Sequence, residues 1–130
     1  MATIFTRIIN GEIPCYKVYE DDKYFAFLDI NPLKKGHTLV IPKVEDDYIF
    51  NLDDDTYAGL CLVAKKIAKA LKESTQCQRV GVTVMGMEVP HVHIHLVPMD
   101  KEKDMLFSNP KLELSAEEMK SIAEDIAKRI

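Results

Sequence analysis

The chain has four histidines in 130 residues, and three of them fall within five positions. Residues 89–98 read VPHVHIHLVP, so His91, His93 and His95 alternate with Val92, Ile94 and Leu96. Side chains alternate faces along a strand. Three imidazoles are therefore expected on one face of a fifth strand, about 6.5–7 Å apart, with the apolar residues against a helix behind. Imidazole has an ordinary pKa of about 6.5 and serves near neutrality as nucleophile, proton carrier or metal ligand. Four uses compete. The histidines can be plain half-buried residues, or part of a nucleotide-binding module without chemistry. Two of them can share a zinc ion at about 2.0–2.1 Å. One ion hardly reaches an outer pair roughly 13 Å apart at Cα, and no cysteine motif supplies further ligands. The fourth use is phosphorus chemistry. One imidazole attacks a phosphate derivative, water hydrolyses the nucleotidyl-histidine, and the flanking rings hold phosphate oxygens and protonate the leaving group. That use employs all three.

Several elements must carry this row. TIFTRIING suits a short amphipathic helix ended by Gly11. YKVYED and YFAFLDI read as a hairpin about Asp21 and Asp22, rich in aromatic and β-branched residues. NPLKKG is a turn, and HTLVIPK a third strand. Asp53–Asp55 offer N-caps to a long helix, in which Leu60, Val63, Ala64, Ile67 and Leu71 recur at helical spacing. RVGVTVMG and HVHIHLVP give strands four and five. Ser115 and Glu118 form a capping box before Met119, Ile122, Ala123 and Ile126. The order predicts an α+β domain with a mainly antiparallel five-stranded sheet, one long helix and a C-terminal helix.

Composition narrows the classes. The chain is 47% hydrophobic and 29% charged, with a formal net charge of −4, which argues for one globular domain and against a large nucleic-acid surface. Cys15, Cys61 and Cys77 form no C-x-x-C pair, against a disulfide framework and for a reducing, cytoplasmic compartment. No signal peptide or membrane-length apolar run is read. No P-loop or dinucleotide fingerprint occurs, and the proposed chemistry requires no metal or cofactor.

HVHIHLVP resembles the histidine triad (HIT) pattern. FTRIINGEIPCYKVYEDDKYFAFLDINPLKKGHTLVIPK is similar to the N-terminal half of the Hint branch, and the likeness spans about residues 3–98, with 99–130 as an extension. The resemblance implies a HIT-like fold and cleavage at the α-phosphorus of a nucleoside phosphate derivative, with a purine nucleotide as substrate. It places the nucleophile at His93, with His91, His95 and His37 positioning it and contacting the phosphate. It places ribose binding at Asp29, which from its place before a turn is also a candidate Asx cap. The base pocket maps to Phe5, Ile8, Ile13, Leu28 and Ile30. Lys34, Lys35 and Lys43 read as solvated.

The segment VTVMGMEVPH departs from the family. Gly86 and Val89 fit it. Met87 stands where Gln is usual, Glu88 where a small hydroxyl residue often stands, and the usual Asn is missing. Glu88, read either as facing solvent or as lining the site, would repel phosphate at close range. The departure therefore bears on the leaving group: phosphoramidates, dinucleoside polyphosphates and adenylylated adducts all stay open. The resemblance also implies a homodimer. Val80, Val82 and Val84 on an unprotected strand, with Tyr57, Leu60, Cys61, Leu62 and Val63 on the long helix, offer a surface for it.

Overall fold

The computed structural model describes residues 2–130. Its elements are α1 (Ile4–Ile9), β1 (Lys17–Glu20), β2 (Tyr24–Leu28), β3 (Thr38–Pro42), α2 (Asp54–Thr75), β4 (Arg79–Thr83), β5 (Ile94–Met99) and α3 (Ala116–Lys128). Short 3-10 turns lie at Ile49–Asn51 and Glu102–Met105. The five strands form one antiparallel sheet in the order β1-β2-β3-β5-β4. The fold is thus α+β, as read from the sequence. No helix among the described residues is long and apolar enough to cross a membrane.

Local chemistry sets the turns. Asp21 Oδ1 accepts from the amides of Lys23 and Tyr24 at 2.8 Å each, which closes the β1–β2 hairpin. Asp53 caps α2 by accepting from Thr56 N at 2.7 Å, and α2 ends on Gln76 in the left-handed region. Gly59 interrupts a good helical sequence for a packing reason: a Cβ there would lie 2.0 Å from the Tyr24 hydroxyl, which donates to the Thr56 carbonyl. The capping box at Ser115 is only half formed. Ser115 accepts from Glu118 N, but the Glu118 carboxylate instead pairs with Lys35 at 2.6 Å.

The sheet buries both faces. Tyr24, Ala26, Leu28, Val40, Ile94 and Leu96 face α2 and α3, where Leu60, Ile67, Leu71, Met119, Ala123 and Ile126 complete the core. The C-terminal segment therefore adds a helix to the main core. Phe25, Phe27, Leu39 and Ile41 point the other way and pack with Phe5 of α1. The histidine row lies on this second face.

β5 begins at Ile94 rather than at His91, a correction to the single strand through all three histidines read from the sequence. His95 is paired on both sides, with Leu39 and Thr83. His93 and His91 precede the ladder, which ends at Thr83–His95 on the β4 side and at Val40–Ile94 on the β3 side, although β3 itself runs on to Pro42. β4 ends at Thr83, and the chain turns through Gly86 at φ 71. On the other side the Val92 amide bonds the Asp46 carbonyl at 2.7 Å, and the Pro42 carbonyl takes a side chain, as shown next.

Candidate active site

Hydrogen-bond partners determine which nitrogen of each histidine carries the proton. A backbone carbonyl can only accept and a backbone amide can only donate. His91 Nε2 lies 2.8 Å from the Pro42 carbonyl, so Nε2 is protonated; its Nδ1 accepts from the Thr3 hydroxyl at 2.7 Å. His93 Nδ1 donates to the His91 carbonyl at 2.7 Å, which leaves Nε2 as a lone pair. His37 Nδ1 accepts from Leu33 N at 3.1 Å, so His37 Nε2 donates to His95 Nδ1 at 3.0 Å. His95 Nε2 is therefore an N–H donor. Among the described residues no buried side-chain nitrogen or oxygen lacks a partner. His93 Nε2 and His95 Nε2, which bond no protein group, accordingly reach the open face. Their rings stand edge to face with centroids 4.9 Å apart. One lone pair and one N–H thus converge on a single volume.

The structure brings His37, His93 and His95 together and sets His91 apart. His91 is fully buried, and both of its nitrogens bond groups away from the open face. It acts on His93 through its backbone carbonyl. Phe5 packs edge-on against both His91 and His93, with centroids 5.7 and 5.1 Å away.

Asp29 follows β2, and its carboxylate divides its work. Oδ1 accepts from Asn31 N at 2.9 Å, an Asx turn, while Oδ2 lies 3.6 Å from His37 Nε2. The two readings of Asp29 made from the sequence are compatible, since the turn uses one oxygen. Of the pocket residues, Phe5 and half-buried Ile8 line the second sheet face. Ile13 is half-buried in the loop after α1. Ile30 is 69% exposed just beyond Asp29. Leu28 requires correction: at 1% exposed it belongs to the core under α2. Strand alternation puts Leu28 opposite Asp29, and Phe27 takes the place on the site face. Glu88 is exposed.

Sequence reading missed three contributors. Thr3 caps α1 and holds His91. Phe107, in the segment after β5, packs edge-on against His95 at 5.0 Å and His37 at 6.1 Å. Lys111 hangs from that segment, with Nζ donating to the carbonyls of Phe107 and Asn109. Lys34 and Lys35, read as solvated, fasten the segment through ion pairs to Asp104 and Glu118. No local motif marks these residues; only the return of the chain across the sheet brings them to the histidines.

Residues 10–102 match the HIT domain family. The chain belongs to the HIT family. Among its HIT relatives is the adenosine 5'-monophosphoramidase hnt1 of Schizosaccharomyces pombe, 36% identical over 100% of this chain and 99% of that protein. Another is the adenylylsulfatase HINT3 of Arabidopsis thaliana, 35% identical over 84% of this chain and 57% of that one. The HIT-like protein from Bartonella henselae superposes with a TM-score of 0.83 at 32% identity, over 98% of this chain and 96% of that one.

Burial governs the charges of this HIT site. It pushes His37 down to about 3, helped by the charges of His95 and Lys111. It pushes His95 down to about 4, helped by His93. His91 is lowered too, again chiefly by burial. Burial thus disfavours charge on all three rings, and in the neutral tautomer fixed by His37 the His95 Nε2–H is a hydrogen-bond donor. Asp29 moves oppositely, raised by burial. Asp29, His37 and His95 also place ligand atoms within 4.8 Å of one another. A metal there would have to replace the His37–His95 hydrogen bond.

The shifts predict a pH response of stability. The folded values of His37, His95 and His91 lie below the unfolded value of about 6.5. As pH falls past that value the unfolded chain binds protons that the folded chain refuses, and stability drops. The loss begins near 6.5 and runs to about 4 for His95 and about 3 for His37. Asp29, protonated first in the folded form, offsets part of it. The carboxylates with lowered values, such as Asp21 and Asp104, add their loss further down, below their ordinary values. The unfolding temperature should therefore fall steadily from about pH 6.5 to 5. A flat or rising trend there would contradict neutral buried imidazoles.

Proposed function

We propose that this HIT protein is a nucleotide hydrolase that cleaves the bond between the α-phosphorus of a nucleoside phosphate derivative and its leaving group. The observation that carries this reading is the pair of a bare His93 Nε2 lone pair and a His95 Nε2–H on one open face, with tautomers set by their partners. The relatives named for adenylyl substrates support it. His93 Nε2 attacks phosphorus, the P–N bond forms, and the bond to the leaving group breaks with its electron pair leaving on that group. The adduct ring is cationic, and its Nδ1–H stays on the His91 carbonyl. Water then attacks phosphorus, the P–N bond breaks, a proton goes to solvent, and nucleoside monophosphate departs. His95 Nε2–H steadies the phosphorane oxygens. The Asp29 Oδ2 accepts from ribose hydroxyls, and the base covers Phe5, Ile8, Ile13 and exposed Ile30.

The test is turnover of adenosine and guanosine phosphoramidates, adenylyl sulfate and dinucleoside polyphosphates, with a denaturing alkaline quench and mass analysis of the His93 peptide. A nucleotidyl mass on that peptide is expected. Turnover without it would overturn the covalent route, and tight nucleotide binding without turnover would make the protein a binding module. Zinc retained through purification, with no nucleotide affinity, would favour a metal-binding module.

Glu88 shapes the leaving-group end in this reading. It is exposed, yet its charge helps to raise Asp29, so its field reaches the site. Glu88→Ser should raise kcat/KM on phosphoramidates several-fold, within the roughly tenfold that relief of one such repulsion allows. An unchanged substrate profile would mean that the carboxylate only faces solvent.

The working unit is a homodimer in the same proposal. β4 is an edge strand; Val82 on it is 62% exposed, and Leu62 on α2 is 66% exposed. Tyr57 and Cys61 are exposed beside them, whereas Leu60 and Val63 are buried in the protein's own core. A partner strand and helix would cover the exposed set. Light scattering after size exclusion should give twice the 14.8 kDa chain mass. A fully active monomer would reject the dimer.

A further inference from the structure

We propose that Phe107 is a positioning residue of this site, whose ring holds the His95 imidazole so that its Nε2–H meets the phosphorus centre. The inference rests on the hydrolase reading above and deepens it. Phe107 lies beyond residues 10–102, the span that matches the HIT family.

Two phenyl rings divide the histidines between them. Phe5, on α1, packs edge-on against His91 and His93. Phe107 packs edge-on against His95 and His37, with centroids 5.0 and 6.1 Å away and interplanar angles of 78° in both cases. Ring quadrupoles favour edge-to-face pairs at such distances, so the contact carries a preferred orientation.

His95 is the ring that needs this support. His37 has both nitrogens bonded to protein, Nδ1 to Leu33 N and Nε2 to His95 Nδ1. His95 has only one, because its Nε2 must stay open to substrate. A bond at one corner leaves rotation about χ2, a torsion without narrow wells. A half-turn would put a C–H where Nε2–H now stands and would break the bond to His37. Besides His37, two aromatic rings meet His95: His93 at 4.9 Å and Phe107 at 5.0 Å. His93 becomes the cationic adduct, so its charge and partners change during the reaction. Phe107 is the neighbour that the chemistry leaves untouched.

The fold fixes Phe107 from both sides along the chain. Thr83 pairs with His95, and Gly81 pairs with Val97, so Gly81 lies on the histidine face of β4. A Cβ at Gly81 would lie 2.3 Å from Met99 Sδ and 2.4 Å from Met105 Cε. The missing side chain thus lets Met105 seat the turn before Phe107 on the same sheet face. Buried Asp104 accepts from the amides of Asp100 and Lys101 at 2.8 and 3.2 Å and pairs with Lys34 at 3.7 Å. After the ring, the Phe107 carbonyl accepts from Lys111 Nζ. Asn109 N donates to the Leu106 carbonyl at 3.0 Å, and Leu112 N to the Pro32 carbonyl at 2.9 Å. Phe107 stands outside the apolar cluster of Phe5 and Ile8, so its loss should fall on the chemical step more than on nucleotide binding.

The test compares wild type, Phe107→Ala, Phe107→Leu and Phe107→Tyr on adenosine phosphoramidate, adenylyl sulfate and a dinucleoside polyphosphate. Nitrogen-15 spectra of the histidine rings are recorded on each free protein. Phe107 is half-buried in a loop, so the variants should fold, as their unfolding temperatures will show; Phe107→Leu keeps the apolar bulk and carries the test if Phe107→Ala does not. Phe107→Ala should lower kcat by about 10–100-fold, the scale of a misplaced donor and short of losing it outright. Its affinity for nucleoside monophosphate should change by less than about threefold. Phe107→Leu should fall between, and Phe107→Tyr, which keeps the ring, should restore most of kcat. His95 should show the Nε2–H tautomer alone in wild type and a mixture of tautomers in Phe107→Ala. A lowered unfolding temperature with kcat and the His95 spectrum unchanged would make Phe107 merely structural and overturn its role. So would wild-type turnover in Phe107→Leu, or nucleotide affinity falling in step with kcat. The hydrolase reading would survive each of these. Wild type inactive on every substrate would overturn both.

Discussion

His93→Ala is expected to remove turnover, by at least about a thousandfold in kcat, the scale of losing a covalent nucleophile, while the fold persists. The asymmetry follows from what His93 touches. Its one hydrogen bond to protein runs from Nδ1 to the His91 carbonyl, at the edge of the open face, and its Nε2 bonds no protein group. Truncation costs that bond and an edge contact with Phe5, about 1–2 kcal/mol together. Asp29, His95 and the apolar pocket stay in place, so much of the nucleotide affinity should survive. The measurements are single-turnover kinetics, calorimetric binding of a nucleoside monophosphate, and thermal unfolding. Near wild-type turnover in this variant would end the covalent mechanism.

His91→Ala should behave in the opposite way, although the two histidines are neighbours in one motif. His91 is fully buried. Its loss strands the Pro42 carbonyl, takes from the Thr3 hydroxyl its bond to the ring and leaves a cavity against Phe5. Buried groups left unsatisfied cost about 1–3 kcal/mol, and the cavity adds a similar amount. A total of about 3–5 kcal/mol would lower the unfolding temperature by roughly 10–20 °C in a chain of this size. The damage should spread to the α1 cap, since Thr3 also accepts from Thr6 N and its amide donates to Glu45. Any surviving folded enzyme should show reduced kcat, because the carbonyl that orients His93 has lost its anchor. Denaturant unfolding paired with kinetics at low temperature separates the two effects. A His91→Ala protein as stable as His93→Ala would mean that the buried network carries no weight.

Much of this molecule is legible in the sequence for local reasons. The hairpin at Asp21, the cap at Asp53, the apolar periodicity of α2 and the alternation in HVHIHLVP each depend on a few adjacent residues. Alternation alone placed His93 and His95 together, and their rings are 4.9 Å apart. The family motifs add Asp29 and His37, which the turn between β2 and β3 brings to the same place.

Tertiary structure decided the rest, because the deciding contacts join distant segments. Strand parity, visible only once Asp29 is known to face the histidines, puts Phe27 and not Leu28 at the site. The pairing ladder of β5 ends at Ile94, before His93, so the motif is half strand and half lead-in. The proton positions depend on groups far along the chain: His91 on Thr3 and Pro42, and His95 on Leu33 acting through His37. The neutrality of the rings depends on burial, which no residue type specifies by itself. Phe107 stands in a segment with no motif, and it reaches the histidines only because Asp104 and Leu112 tie that segment to the turn after Asp29. Local patterns can specify which side chains share a face, but the charge and hydrogen bonding of those side chains depend on everything the fold packs against them.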